Sequence, residues 1–127
     1  MALLLDTHAV LWWWNDAPYL STRAREAIAE SGDVRVSAAS ALEVALKYRL
    51  GKLLTIGDPA EHWSRLMTDN GFVSVPIDEQ VAIAAGLLTH LHGDPFDRVI
   101  AAQGLADDLL IVTCDAAMAG FGCRTLW

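Results

Sequence analysis

No stretch of this chain approaches the roughly 18 consecutive apolar residues that a membrane-crossing helix needs, so no anchor is expected. Its opening residues, Met1-Ala2-Leu3-Leu4-Leu5-Asp6, lack the basic flank and cleavage site of a secretory leader. The expected location is therefore the cytoplasm. Cysteine is scarce: Cys114 and Cys123 show neither metal-ligand nor redox spacing, which excludes a disulfide scaffold and leaves two buried free thiols as the expectation. None of the four histidines has zinc-motif spacing, and His90-Leu91-His92 is too close for a paired helical site. No repeat, low-complexity run or Pro/Gly/Ser linker divides the 127 residues, so one domain over residues 1–127 is expected. Positive charge is also short. Nine Lys and Arg stand against sixteen Asp and Glu, for a net charge of −7. Simple nucleic-acid binders carry a basic face that neutralises phosphates. An acidic protein can act on RNA if its negative charge gathers where cations sit and the cations meet the phosphate.

What is present is an apolar chain, 54% hydrophobic, arranged as alternating short strands and helices. The continuous apolar run Ala2–Leu5 reads as a buried parallel strand, Val34–Val36 and Phe72–Val75 as further short strands, Leu109–Thr113 as a central strand, and Cys123–Leu126 as an edge strand. Helices are expected over His8–Trp14, from Ser21 or Thr22 to Glu30 with Gly32 closing, and over Ala38–Leu50, which ends at Gly51. Further helices are expected from the Asp58-Pro59 cap to Asn70, from Asp78 to His90, from Asp94-Pro95 to Asp108, and shortly after Asp115. Such alternation implies an α/β fold, a central parallel sheet flanked by helices. Ligands bind such sheets outside the carboxyl ends of the strands.

Acidic residues stand at those ends. Asp6 follows Leu3-Leu4-Leu5, and Asp115 follows the run Leu109–Cys114; each suits a site at the sheet edge, or a simple helix N-cap. Glu43 has capping-box spacing from Ser40 and a favourable i, i+4 pairing with Lys47. Yet it sits among Ala39, Leu42, Val44, Ala45 and Leu46, where a carboxylate needs a partner and a cation would serve. Asp94 before Pro95 reads as an N-cap. Asp97 begins a small, apolar stripe through Ala101, Gly104 and Leu105 that should face the sheet, so its carboxylate points inward near a helix N-terminus. Arg98 can pair with a carboxylate or a phosphate, or stand as a surface charge. Hard cations such as Mg²⁺ or Mn²⁺ take oxygen ligands and activate water for attack on a phosphodiester.

Four ordered blocks carry a family resemblance over nearly the whole chain. They are Leu4–Trp12; Ser37, Ser40, Glu43, Lys47 and Gly51-Lys52-Leu53; His92–Gln103; and Val112-Thr113-Cys114-Asp115 with a terminal strand ending at Leu126-Trp127. Together they resemble the PIN-domain nucleases, and within them the VapC-type toxins of toxin–antitoxin pairs. The resemblance implies a PIN-like fold and a metal-dependent endoribonuclease, a hydrolase of phosphodiester bonds that arrests translation. It implies Mg²⁺ or Mn²⁺ as cofactor, with Asp6, Glu43, Asp97 and Asp115 as the acidic quartet and Asp6, Asp97 and Asp115 on the metal. Thr7, Asp94, Arg98 and Thr113 would support them. The implied partners are RNA as substrate, a small cognate antitoxin that occludes the site, and a second copy of the chain in a homodimer. DNA is reached only through the antitoxin.

Three positions depart from the family pattern: Leu42 and Met118 replace common aromatics, and Gly104 replaces a common alanine. All three are packing positions. Trp12-Trp13-Trp14 point in different directions on a helix, so either one of them meets solvent or an interface, or all three are half-buried. A haloacid-dehalogenase-like phosphatase would need an acid where His8 stands, and a response-regulator receiver would need acids and a lysine that are missing. An inactive PIN-like module that only binds RNA or protein is the remaining alternative, and four converging acids argue against it.

Overall fold

The computed structural model describes residues 1–52 and 56–127; Leu53, part of the second motif block, lies outside them. Leu3–Leu5 (β1) forms the middle of a five-stranded sheet because all three residues are apolar and it is covered on both faces. Val34–Ser37 (β2) and Leu110–Val112 (β4) pair with it on either side, and Val73–Val75 (β3) and Thr125–Leu126 (β5) form the edges, giving the order β3-β2-β1-β4-β5. Every pairing is parallel. Leu5 stands level with Val36 and Val112, which brings the carboxyl ends of the three central strands to one edge.

Successive strand residues face opposite sides, and the two cores follow that alternation. On one face Leu3, Leu5, Val34, Val36 and Val112 pack against Thr7–Trp14 (α1), Thr22–Glu30 (α2) and Pro59–Asp69 (α4) through Val10, Ala24, Ile28 and Met67. On the other, Leu4 and Ile111 meet Ala39 of Ala38–Arg49 (α3), Ile100 and Ala101 of Pro95–Ala106 (α6), and Met118 of Ala116–Gly120 (α7). Glu79–Leu87 (α5) packs on α6. This is the expected α/β architecture.

Differences from expectation are local and have physical reasons. The helix α5 ends at Leu87 rather than His90, because residues 88–92 are drawn onto α6 by Arg98. Ser37, not Ser40, caps α3: its Oγ accepts from Ala39 N, so the expected Ser40–Glu43 capping box is not used. Ser40 instead accepts a hydrogen bond from Thr7 Oγ1 at 2.9 Å in the buried seam between α1 and α3. Leu105 turns outward at 42% exposure, whereas Ala101 and Gly104 do face the sheet. The thiols are not buried: Cys114 is exposed and Cys123 half-buried.

The three tryptophans take the half-buried arrangement, each with partners inside the chain. Trp12 packs on Tyr19 and Trp127, while Trp13 donates from Nε1 to Asn70 Oδ1 at 3.0 Å. Trp14 meets Trp63 edge-on and Phe72 face-on. Gly104 is where α6 comes closest to β4: a Cβ there would lie 2.7 Å from Ile111 Cδ1 and 3.0 Å from its Cγ1. Ile111 is fully buried, so any shift of its side chain moves it against close-packed neighbours. Overpacking of this kind costs about 1–3 kcal/mol, more than the helix propensity of about 1 kcal/mol that alanine gains over glycine. Gly104→Ala is therefore expected to lower the denaturant midpoint, and adding Ile111→Val should recover part of the loss. An unchanged midpoint for the single variant would refute the close-packing account.

Candidate active site

Each site residue owes its position to an element end. Asp6 leaves β1 and caps α1: its Oδ1 accepts from Ala9 N at 2.8 Å, and its backbone N–H bonds Val112 O at 3.1 Å. Thr113 leaves β4 at the same edge and donates its hydroxyl to Asp6 Oδ2 in a short hydrogen bond. That same Thr113 Oγ1 accepts from Asp115 N at 3.0 Å, and Asp115 then caps α7 through Ala117 N. The capping reading of Asp6 and Asp115 holds, and it does not move them from a shared cavity. They cap helices, and they stand at the sheet's carboxyl edge.

Glu43 is 7% exposed on α3, and Lys47 one turn later bonds its Oε2 at 2.8 Å, which answers the need of a buried carboxylate for a partner. Asp94 caps α6 by accepting from Phe96 N at 2.9 Å. Asp97 lies in the first turn of α6, where its Oδ2 bonds His92 Nε2 at 2.8 Å. All of these meet in one cavity of about 250 Å³, lined by Asp6, Thr7, Glu43, Asp94, Asp97 and Asp115 together with His8, Lys47, His92 and Cys114.

The last four were not anticipated as site residues. His92 had a signal within reach: it stands two residues before Asp94 and five before Asp97. Loop geometry rather than helical spacing brings it round, so a search for zinc-type spacing passes over it. Arg98 corrects the expectation in the other direction. It meets neither carboxylate nor open cavity; its guanidinium donates to five backbone carbonyls. Nε bonds Ala85 O at 2.9 Å, Nη1 bonds His90 O and His92 O at 2.9 Å each, and Nη2 bonds Gly86 O at 3.2 Å and Leu88 O. The five donors of the fork are engaged by the chain itself.

Burial pushes the Asp6 carboxyl above its usual range, against the bonds from Thr113 and Ala9 and with a small addition from the Asp97 charge. Asp97 is raised as well, by burial first; the neighbouring Asp94 and Asp115 charges add to the shift, and the His92 bond only partly opposes it. His92 is raised in turn by its bond to Asp97 and by the surrounding carboxylates. Clustered acids of this kind hold a proton more tightly when no cation is near.

The donor set fits a hard divalent cation: five carboxylates line the cavity, and the buried Asp6 keeps its ionised form only at a cost that a cation would remove. The tightest grouping differs from the expected Asp6, Asp97 and Asp115. One ligand atom each from His92, Asp94 and Asp97 lies within 4.8 Å of the others. Asp6 lines the same cavity, with one oxygen accepting from Ala9 N–H and the other from Thr113.

A doubly wound parallel sheet with helices on both faces and acids gathered at its carboxyl edge defines the class: a small α/β domain whose cavity lies where such sheets bind ligands. Residues 3–122 match the sequence pattern of the PIN domain, and the chain belongs to that family. Ribonuclease VapC22 of Mycobacterium tuberculosis (strain ATCC 25618 / H37Rv) is 27% identical over 113 residues, covering 89% of this chain and 86% of that protein. Among solved structures, FitAcB from Neisseria gonorrhoeae superposes with a TM-score of 0.69 at 22% identity, covering 98% of this chain and 96% of that one. VapBC2 from Rickettsia felis, bound to a DNA fragment from its promoter, gives 0.68 at 17% identity over 99% and 98%.

The raised carboxyls make a pH prediction. Asp97 has a folded pKa above its unfolded value of 3.8, so the folded state holds the proton longer. Its contribution to stability is full below the unfolded value and is lost as pH rises through the folded one. In chelator, Asp97→Asn should therefore gain thermal stability relative to the parent chain as pH climbs from acidic to neutral. A pH-independent difference between the two melting curves would contradict this.

Proposed function

We propose that this chain is a divalent-cation-dependent endoribonuclease, acting as the toxin of a toxin–antitoxin pair. The observation that carries the reading is the convergence of Asp6, Glu43, Asp97 and Asp115, from two strand ends and two helices, on a single cavity. Membership of the PIN family and likeness to a protein named as a ribonuclease support it. In this reading Asp6, Asp97 and Asp115 hold Mg²⁺ or Mn²⁺, with Asp94 alongside, and Glu43 lies at the cavity wall tethered to Lys47. Thr113 fixes the Asp6 carboxylate, and Thr7 ties α1 to α3 through Ser40. A cation bound there supplies positive charge to the scissile phosphate and an activated water as nucleophile. That also reconciles an RNA substrate with a net charge of −7.

The partner reading draws on the same comparisons. Structural neighbours include complexes described as VapBC and one described as a toxin–antitoxin complex from Klebsiella pneumoniae. We infer that a small antitoxin covers the acidic cavity, that DNA is reached through it, that two copies of this chain associate, and that the protein works in the cytoplasm. No helix among the described residues is long and apolar enough to cross a membrane. An inactive module that only binds RNA or protein is not favoured, because it gains nothing from five acids gathered in one cavity.

RNA cleavage should require Mg²⁺ or Mn²⁺ and stop in excess chelator. Asp6→Ala and Asp97→Asn should each lower the rate at least about a hundredfold, beyond the usual loss for a residue that only supports a ligand. Circular dichroism should report an intact fold in both. Undiminished cleavage in chelator would sink the cation mechanism.

A further inference from the structure

We propose that His92 is the positioning residue of the cation site, orienting the Asp97 carboxylate, and that Arg98 is the clamp that delivers it. The inference rests on the cation site proposed above and names a device within it. Its starting point is the segment between α5 and α6. Residues 88–92 form no helix or strand, yet four of the carbonyls from Gly86 to His92, and that of Ala85, converge on one guanidinium. A planar, always-charged fork with five donors is suited to gather carbonyls in this way. The Arg98 guanidinium also lies over the Phe121 ring, 5.7 Å from its centre.

The purpose of so many bonds is visible at the end of the segment. His92 O is one of the clamped carbonyls, and the His92 ring packs edge-on against Phe121 with centroids 5.9 Å apart. Backbone and ring are therefore both held, and Nε2 is left 2.8 Å from Asp97 Oδ2. Facing a carboxylate oxygen, Nε2 carries the proton and donates it. Asp97 Oδ1 accepts no hydrogen bond among the described residues, and Asp97 lines the cavity. One oxygen is tied down and the other is free, which is the arrangement that presents a carboxylate to a cation in a single orientation. The clamp and the acid are adjacent in sequence, so the same turn of α6 carries the ligand and the anchor of the group that aims it.

The test is Mn²⁺ affinity, read from the electron paramagnetic resonance of free Mn²⁺, in the parent chain and in His92→Ala, His92→Gln and Arg98→Lys. Removing the donor in His92→Ala should weaken binding about 10–100-fold with little change in melting temperature, because backbone bonds hold the segment. His92→Gln keeps an N–H donor at similar reach and should restore most of the affinity. Arg98→Lys, which cannot span five carbonyls, should weaken binding in the same direction while His92 is intact. Unchanged affinity in His92→Ala overturns the proposal. So does a His92→Gln variant as weak as His92→Ala; nitrogen coupling to Mn²⁺ in pulsed spectra would then identify the imidazole as a direct ligand. Failure of the parent chain to bind Mn²⁺ would instead remove the cation site itself, and this device with it.

Discussion

The Asp6 carboxylate is buried at the carboxyl end of the central strand, and much of the molecule is arranged around keeping it there. Its two oxygens join α1 to β4: one accepts from Ala9 N, the other from Thr113. Thr113 in turn places Asp115 through its backbone N–H. A charge that has lost its water needs hydrogen bonds or a cation. The structure supplies two bonds, and they only partly offset the burial that raises the Asp6 carboxyl. The sheet order puts this residue at the end of the strand with neighbours on both sides, where it is 6% exposed.

Around that residue the chain uses two kinds of support. On one side, hydroxyls and backbone groups act over short distances: Ser37 caps α3, Thr7 meets Ser40, and Lys47 meets Glu43 one turn along the same helix. On the other side, Arg98 reaches across an irregular segment and makes it as definite as a helix turn. The aromatic cluster is a third, apolar support. Trp14, Trp63 and Phe72 join α1, α4 and the start of β3, so the helix that Asp6 caps is held at its far end too. Each tryptophan half-buried on α1 is engaged by the chain's own residues.

The acidity of the chain is consistent with this design. Of the groups lining the cavity, five are carboxylates and one is a lysine that is already paired with Glu43. Burial raises the Asp97 carboxyl, and the neighbouring Asp94 and Asp115 charges raise it further. Such a site is electrostatically costly in its metal-free form, and that cost is the physical reason a divalent cation fits it.

The sequence by itself determined the strands, the helices and the sheet edge at which the acids gather. Leu3-Leu4-Leu5 and Leu110-Ile111-Val112 are too apolar to lie anywhere but in a buried sheet, and Asp58-Pro59 and Asp94-Pro95 announce helix starts whatever surrounds them. A parallel sheet then sends Asp6 and Asp115 to one edge. Only the tertiary structure decided which polar groups answer one another. Ser40 had the spacing to pair with Glu43 but meets Thr7, because Ser37 caps the helix first. Arg98 can pair with a carboxylate or a phosphate or stand as a surface charge by sequence, and it is consumed by backbone carbonyls thirteen to six residues upstream. His92 has no helical register with Asp97 and reaches it through a loop. Local periodicity and capping are set by neighbours along the chain, so they can be read from it. Loop paths and the partners of long side chains depend on what the folded surfaces bring near, and no spacing rule encodes that.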